Sequence, residues 1–268
     1  MKRTLIVGNW KMNLNTHEAS LLVKRLNDKI QIHRDIEVVL APSLLTLQPL
    51  SNEIDRRKFK LAAQNAYYKD EGAFTGEVSF TMLRDLVQYC LIGHSERRAY
   101  FGDTLEVVRD KMQAAIRNEI DPILCVGETQ HEKNAGETKL VIHDQITTAL
   151  SNLTAEDVER VVIAYEPVWA IGTGTPAKPD DIAKTIKWIR QIIDELYGQE
   201  ISENIRILYG ASVDPEFVSS ILSHEGIDGL LVGGASLNYA KFADIVDGAY
   251  KNLHKQEKSD GWFQKAKT

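Results

Sequence analysis

The 268-residue sequence predicts a single α/β domain in which eight parallel strands close into a barrel ringed by helices. Three observations carry this expectation. Short apolar, β-rich runs recur eight times, stretches with apolar residues three or four apart lie between them, and a polar or glycine-rich cluster follows each run. Strands that are almost continuously apolar are buried on both faces, as in a parallel sheet covered by helices. An open, doubly wound sheet is the rival arrangement, but it gathers its chemistry at one crevice, whereas here every strand end carries a candidate cluster.

The strands are expected at Thr4 to Gly8, Ile36 to Ala41, Phe59 to Ala63, Tyr89 to Gly93, Pro122 to Gly127, Val161 to Tyr165, Ile205 to Tyr209 and Gly229 to Gly233. Helical stripes fall at Leu22, Leu26 and Ile30, at Leu105, Val108, Met112 and Ala115, and at Ile182, Ile186, Ile189 and Ile193. Asp180 and Asp181, just after Pro179, suit a helix start. The barrel domain is expected to span residues 1–252, followed by a lysine-rich tail over 253–268. That tail is expected to be loosely held, with Trp262-Phe263 as its one aromatic pair able to dock on the body.

Hydrophobic residues make up 43% of the chain, enough for the core of one large domain. The net charge of -6, with no basic stripe to offset the carboxylates, argues against nucleic-acid and anionic-membrane surfaces and favours a small-molecule partner. Leu5 to Val7 is too short for a signal peptide, and no other stretch has the length to span a bilayer. Cys90 and Cys125 sit in apolar runs without CxxC or metal-ligand spacing, which reads as reduced core thiols. A cytoplasmic enzyme is the expectation.

In such a barrel the C-terminal strand ends converge on one mouth. There the sequence places Asn9-Trp10-Lys11, His94-Ser95-Glu96, Glu128, Glu166, Gly210-Ala211-Ser212 and Gly233-Gly234-Ala235-Ser236. Each has a plainer reading alone: Lys11 as a solvated lysine, His94 as a structural histidine, Glu166 as a salt-bridge partner, Gly-Gly as a tight turn. Together they suggest chemistry, because a neutral imidazole beside a carboxylate can polarise a carbonyl and lift the proton next to it. Glycine-rich turns after the last two strands leave backbone N–H groups open, and a helix opening near Ala235 would add its positive end, which suits a phosphate. The eleven residues from Pro167 to Ala177 exceed an ordinary βα loop and read as a hinged lid. His17, His33, His131, His143, His224 and His254 fall in polar helical or loop stretches and receive no role.

Asn9-Trp10-Lys11-Met12-Asn13, Gly93 to Arg98 (GHSERR), Cys125-Val126-Gly127-Glu128, Ala164 to Gly174 (AYEPVWAIGTG) and Val232 to Leu237 (VGGASL) closely resemble the triosephosphate isomerase family, over residues 1 to about 250. The resemblance implies an aldose-ketose isomerase of glycolysis and gluconeogenesis, interconverting dihydroxyacetone phosphate and D-glyceraldehyde 3-phosphate. The resemblance makes Glu166 the base, His94 the neutral electrophile, and Lys11 and Asn9 electrostatic partners of the enediolate. Glu96 would orient Lys11, and Gly172, Ser212, Gly233 and Gly234 would hold the phosphate of a small phosphorylated triose. No metal or organic cofactor is implied. A paralogue acting on another ketose phosphate, such as a tetrulose phosphate, is the alternative; a non-catalytic phosphate-binding scaffold is a remote one.

The chain departs from the family at Ala211, where a second glycine is usual, at Thr175-Pro176-Ala177, where Lys-Thr-Ala is usual, and at Phe217, where asparagine is usual. A left-handed backbone at Ala211 in the closed lid would make its Cβ an obstacle to closure, which Pro176 could partly offset by narrowing the open ensemble. The loop from Asn65 to Ser79, with Tyr67, Tyr68 and Phe74, is more aromatic than a free surface loop. In the family this loop inserts beside the neighbour's first-strand turn, with the residue matching Thr75 reaching toward the neighbour's counterpart of Lys11. A homodimer is therefore implied.

Overall fold

The eight apolar runs form β1 (Thr4–Asn9), β2 (Ile36–Ala41), β3 (Phe59–Ala63), β4 (Tyr89–Ile92), β5 (Asp121–Val126), β6 (Val162–Tyr165), β7 (Arg206–Tyr209) and β8 (Gly229–Val232). Each pairs in parallel with the next, and β1 pairs with β8, so the sheet closes into a barrel. The computed structural model describes residues 2–174 and 177–265 and, in the last helix, side chains only as far as His254. Pro176 and the side chains of Trp262 and Phe263 therefore lie outside the described residues.

Because strand side chains alternate between faces, each apolar run supplies two cores at once. Leu5, Val7, Val39, Ala62, Leu91, Ile123, Ala164 and Leu208 fill the barrel interior. Their neighbours Ile6, Val38, Leu40, Cys90, Leu124, Ile163 and Ile207 point outward, where the helices cover them. Both cysteine thiols are buried and unpaired.

The helix Pro179–Tyr197 shows how the cover is built. Proline opens it, Asp180 and Asp181 occupy the first turn where the helix dipole favours negative charge, and Ile182, Ile186, Ile189 and Ile193 bury one stripe. The chain then leaves the helix at Gly198, whose φ of 89° is readily open to glycine alone. The last helix, Tyr239–Lys265, runs without a break through the boundary expected at residue 252. Among the described residues no helix is long and apolar enough to cross a membrane.

The N-terminal end of the barrel is closed by a charge cluster rather than by apolar side chains. Buried Glu37 accepts a hydrogen bond from the Tyr89 hydroxyl and one from Lys60 Nζ at 3.0 Å, with Arg206 at 3.5 Å and Arg3 at 3.4 Å. Burial alone would raise the affinity of Glu37 for a proton. The Tyr89 and Lys60 hydrogen bonds and the charges of Lys60 and Arg206 outweigh that and hold the carboxyl below its ordinary range. This end carries no candidate chemistry; it leaves the opposite mouth free to carry it.

Candidate active site

Three strand ends bring the predicted residues together. After β1, Lys11 adopts a left-handed backbone with φ 52°, a conformation that costs a non-glycine residue about 1 kcal/mol or more. Its N–H donates to Asn9 Oδ1 at 3.0 Å and its carbonyl accepts from Gln64 Nε2 at 2.8 Å, so the strained turn is held from both sides. The Lys11 ammonium then lies 2.5 Å from Glu96 Oε1. After β4, His94 caps the helix Ser95–Tyr100: its Nδ1 accepts the Glu96 N–H at 3.3 Å. A ring nitrogen that accepts an N–H carries no proton, so in the neutral ring the proton sits on Nε2, facing the mouth.

After β6, Glu166 is 3% exposed and its Oε1 stands 3.0 Å from His94 Nε2. The other oxygen accepts the Ser95 N–H at 3.2 Å. The backbone position of Glu166 depends on Gly127, at the end of β5. A Cβ on Gly127 would sit 1.8 Å from the Glu166 carbonyl oxygen. The Glu166 N–H donates to Val126 O at 2.7 Å, and Gln145 pairs with both the N–H and the carbonyl of Gly127.

Asn9, Lys11, His94 and Glu166 line a cavity of about 370 Å3, and Gly172, Ser212, Gly233 and Gly234 line the same cavity. Of the residues given a role by the family resemblance, Glu96 is outside the lining and stands behind Lys11 as its ion-pair partner; Trp10, Ser95, Glu128 and Ser236 of the predicted mouth clusters are outside it as well. The helix expected near Ala235 is a single 3-10 turn, Gly234–Leu237, too short for a full helix dipole, so any anion there meets individual N–H groups instead. The family model described as Triosephosphate isomerase matches residues 4–249. The chain belongs to the triosephosphate isomerase family. Proteins named Triosephosphate isomerase from Carboxydothermus hydrogenoformans and Alkaliphilus metalliredigens are 44% and 46% identical to it over 250 and 248 residues, covering 93% and 92% of this chain and 100% of each relative. One of the same name from Dictyoglomus turgidum is 43% identical over 247 residues, covering 92% of this chain and 99% of its own length.

In this triosephosphate isomerase family member the imidazole and the carboxylate oppose each other's burial. For Glu166, burial raises proton affinity, but the His94 charge and hydrogen bond, the Ser95 N–H and Lys11 carry it below the ordinary carboxylate range. For His94, burial lowers proton affinity, and the Glu166 charge and hydrogen bond more than reverse that, leaving it raised. The rise is thus owed chiefly to Glu166 being charged. Remove that charge, and burial and Lys11 push the ring toward neutrality, opposed only by the charge of Glu96.

The lid is tied at both ends. Near its start, Trp169 Nε1 donates to Glu128 Oε1 at 2.8 Å, and Glu128 is itself buried under the Tyr165 hydroxyl. In its middle, the Gly174 N–H donates to Ser212 Oγ at 3.2 Å, and that hydroxyl donates to Ala170 O at 2.9 Å. At its end, the Ala177 N–H donates to the Tyr209 hydroxyl at 2.8 Å.

With the lid tied down in this way, Ala211 does not take the left-handed backbone on which an obstacle to closure was conditional. Lys11, Leu14 and Glu119 are the non-glycine residues with positive φ among the described residues. Ala211 instead keeps an ordinary backbone and packs its methyl, half-buried, against the core. Phe217 likewise packs against the core, from the 3-10 turn Pro215–Phe217. The sequence reading missed Ser95 as an N–H donor to the base, Gln64 as the brace of Lys11, Gly127 as the condition for the Glu166 backbone, and Tyr209 as the lid's anchor. Of these, only Ser95 had a local signal, since it follows a helix-capping histidine.

Proposed function

We propose that Glu166, His94, Lys11 and Asn9 perform the interconversion of dihydroxyacetone phosphate and D-glyceraldehyde 3-phosphate. The enzyme is an aldose-ketose isomerase, and the chemistry asks that one proton move between adjacent carbons and another between the oxygens they carry. Glu166, kept as a carboxylate, removes the proton from one carbon; the C–H electron pair becomes the C=C bond of the enediolate, and the carbonyl pair moves onto oxygen. His94 Nε2–H passes its proton to that oxygen and the ring nitrogen takes the hydroxyl proton from the first carbon's oxygen, so the carbonyl re-forms on the first carbon, while Lys11 offsets the charge. Glu166 then returns the proton to the neighbouring carbon. Once Glu166 has accepted the proton, its charge no longer raises the basicity of His94, which removes the largest influence favouring an imidazolium. Glu96 is a positioning residue: its carboxylate pairs with Lys11, and its N–H fixes the His94 tautomer. N–H groups at Gly172, Ser212, Gly233 and Gly234 hold the phosphate, and the lid keeps water from an intermediate that can otherwise expel it.

The observation that carries this reading is the 3.0 Å contact between His94 Nε2 and Glu166 Oε1 at the mouth. A coupled assay with both triose phosphates and a tetrulose phosphate tests it. Preferred turnover of the trioses is expected; preference for the tetrulose would favour the paralogue, and binding without turnover the scaffold.

Assembly as a cytoplasmic homodimer belongs to the same reading. Met12 (96% exposed), Phe74 (39%) and Met82 (64%) present apolar surface from the connections after β1 and β3, which reach one side of the mouth. That surface, beside the strained Lys11 turn, fits a second copy of the chain. Sedimentation at assay concentration checks it: a fully active monomer would refute the dimer. The unit 1–252 is taken as the isomerase domain and 253–268 as an appendage, a division supported by the family match ending at residue 249. Truncation after Asn252 should leave turnover within about twofold, and a large loss would place the tail inside the functional unit.

A further inference from the structure

One ammonium group touches both the start of the lid and the helix that receives its end. Lys133, on the helix Gln130–Asn134, places its Nζ 3.2 Å from the centroid of the Trp169 ring and 2.9 Å from Asp181 Oδ2. Trp169 lies in the 3-10 turn at the lid's start. Asp181 lies in the first turn of the helix that receives the lid's end, four residues after Ala177. The indole is gripped twice from the segment after β5: Glu128 takes its N–H at 2.8 Å, and Lys133 covers its face. A lysine at that face gains a cation–π contact, while the carboxylate of Asp181 fixes where the ammonium stands.

We propose that Lys133 is a positioning residue for the isomerisation, a clasp that holds the two hinges of the lid in register. The proposal rests on the isomerase reading above. The clasp and the lid's own tethers, Gly174 to Ser212 and Ala177 to Tyr209, are made in the same arrangement. Any lid movement that carries Trp169 away from Glu128 also strips the ammonium of its ring, so Lys133 favours the tied-down state over every state in which the indole departs. Its effect on chemistry follows from what the lid protects. If the lid opens while the enediolate is present, the C–O bond to phosphate breaks, the electron pair leaves with inorganic phosphate, and the remaining enol becomes 2-oxopropanal.

The test compares wild type with Lys133→Met, which keeps an apolar stem over the ring but removes the charge, with Lys133→Arg, which restores the charge, and with Asp181→Asn. Three quantities are measured: inorganic phosphate released per isomerisation, the inhibition constant of a phosphorylated hydroxamate that mimics the enediolate, and Tm. Lys133→Met should raise phosphate loss per turnover and weaken the mimic by about two- to fivefold each, with Tm nearly unchanged. Lys133→Arg should return both to wild-type values, and Asp181→Asn should fall between. A lower Tm with unchanged phosphate loss and unchanged mimic affinity would overturn the proposal, reducing the contact to a stability feature; no change in any quantity would overturn it as well. Failure of wild type itself to isomerise the trioses would instead remove the isomerase reading on which the clasp depends.

Discussion

Replacing Gly127 with alanine should disable the base without touching it. The added Cβ would lie 1.8 Å from the Glu166 carbonyl oxygen and 2.6 Å from its carbonyl carbon, whereas real Cβ contacts stay beyond 3.0 Å. Opening the contact to that limit requires a shift of about 1.2 Å between the ends of β5 and β6. Neither partner yields easily, because Gln145 holds the Gly127 backbone and Val126 O holds the Glu166 N–H at 2.7 Å. A misplacement of about 1 Å in a reacting group costs roughly 100-fold in rate, while overpacking of this kind costs about 1–3 kcal/mol of stability. The barrel should therefore survive and turnover should not. We expect kcat for D-glyceraldehyde 3-phosphate to fall about 100-fold, well below the Tm of the variant, with affinity for inorganic phosphate changed by less than about threefold. A Gly127→Ala enzyme that keeps kcat within threefold of wild type would show that the close approach does not position Glu166.

Two other predictions concern the turn after β7 and the closed end of the barrel. Ala211 has an ordinary backbone with the lid tied down, so Ala211→Gly should tighten an enediolate-mimicking inhibitor by no more than about twofold; a gain of tenfold would restore the left-handed requirement. Glu37 is held below its ordinary value of 4.5 in the folded barrel, so its pairing stabilises above that pH and is lost as pH falls through the lower folded value. Glu37→Gln strands Lys60 and Arg206 near one another and should cost about 3 kcal/mol at pH 7. The Tm gap to wild type should narrow as the medium is acidified below pH 4.5, and a gap that stays constant down to acid unfolding would sink this assignment.

The fold was legible because its signal is local. Each strand is buried on both faces, so Val162-Ile163-Ala164-Tyr165 reads as an unbroken apolar run and Ile36 to Ala41 as one broken only by Glu37, and the observed limits fall within one residue of those expected. His94, Lys11 and Glu166 were legible for a related reason: a polar residue at the end of such a run must face the mouth. What escaped was pairing between distant segments. Nothing near Gly127 says that the Glu166 carbonyl passes against it, and nothing near Lys133 says that an indole 36 residues later lies over its ammonium. The backbone at Ala211 was not legible from the usual residue at that turn: its φ is not positive, and the preceding Gly210 N–H is held by Tyr165 O at 2.8 Å.

The account stands or falls on Glu166 carrying the proton between the two carbons. The most direct measurement follows solvent deuterium entering the carbon-bound position of the triose phosphates during turnover in D2O, for wild type and for Glu166→Gln. Wild type should place deuterium on the carbon that receives the returning proton. The Glu166→Gln enzyme should lose at least about 100-fold in that exchange while binding a substrate analogue nearly as well as wild type. Exchange that persists near the wild-type rate in Glu166→Gln would contradict the assignment and move the base to another residue of the mouth.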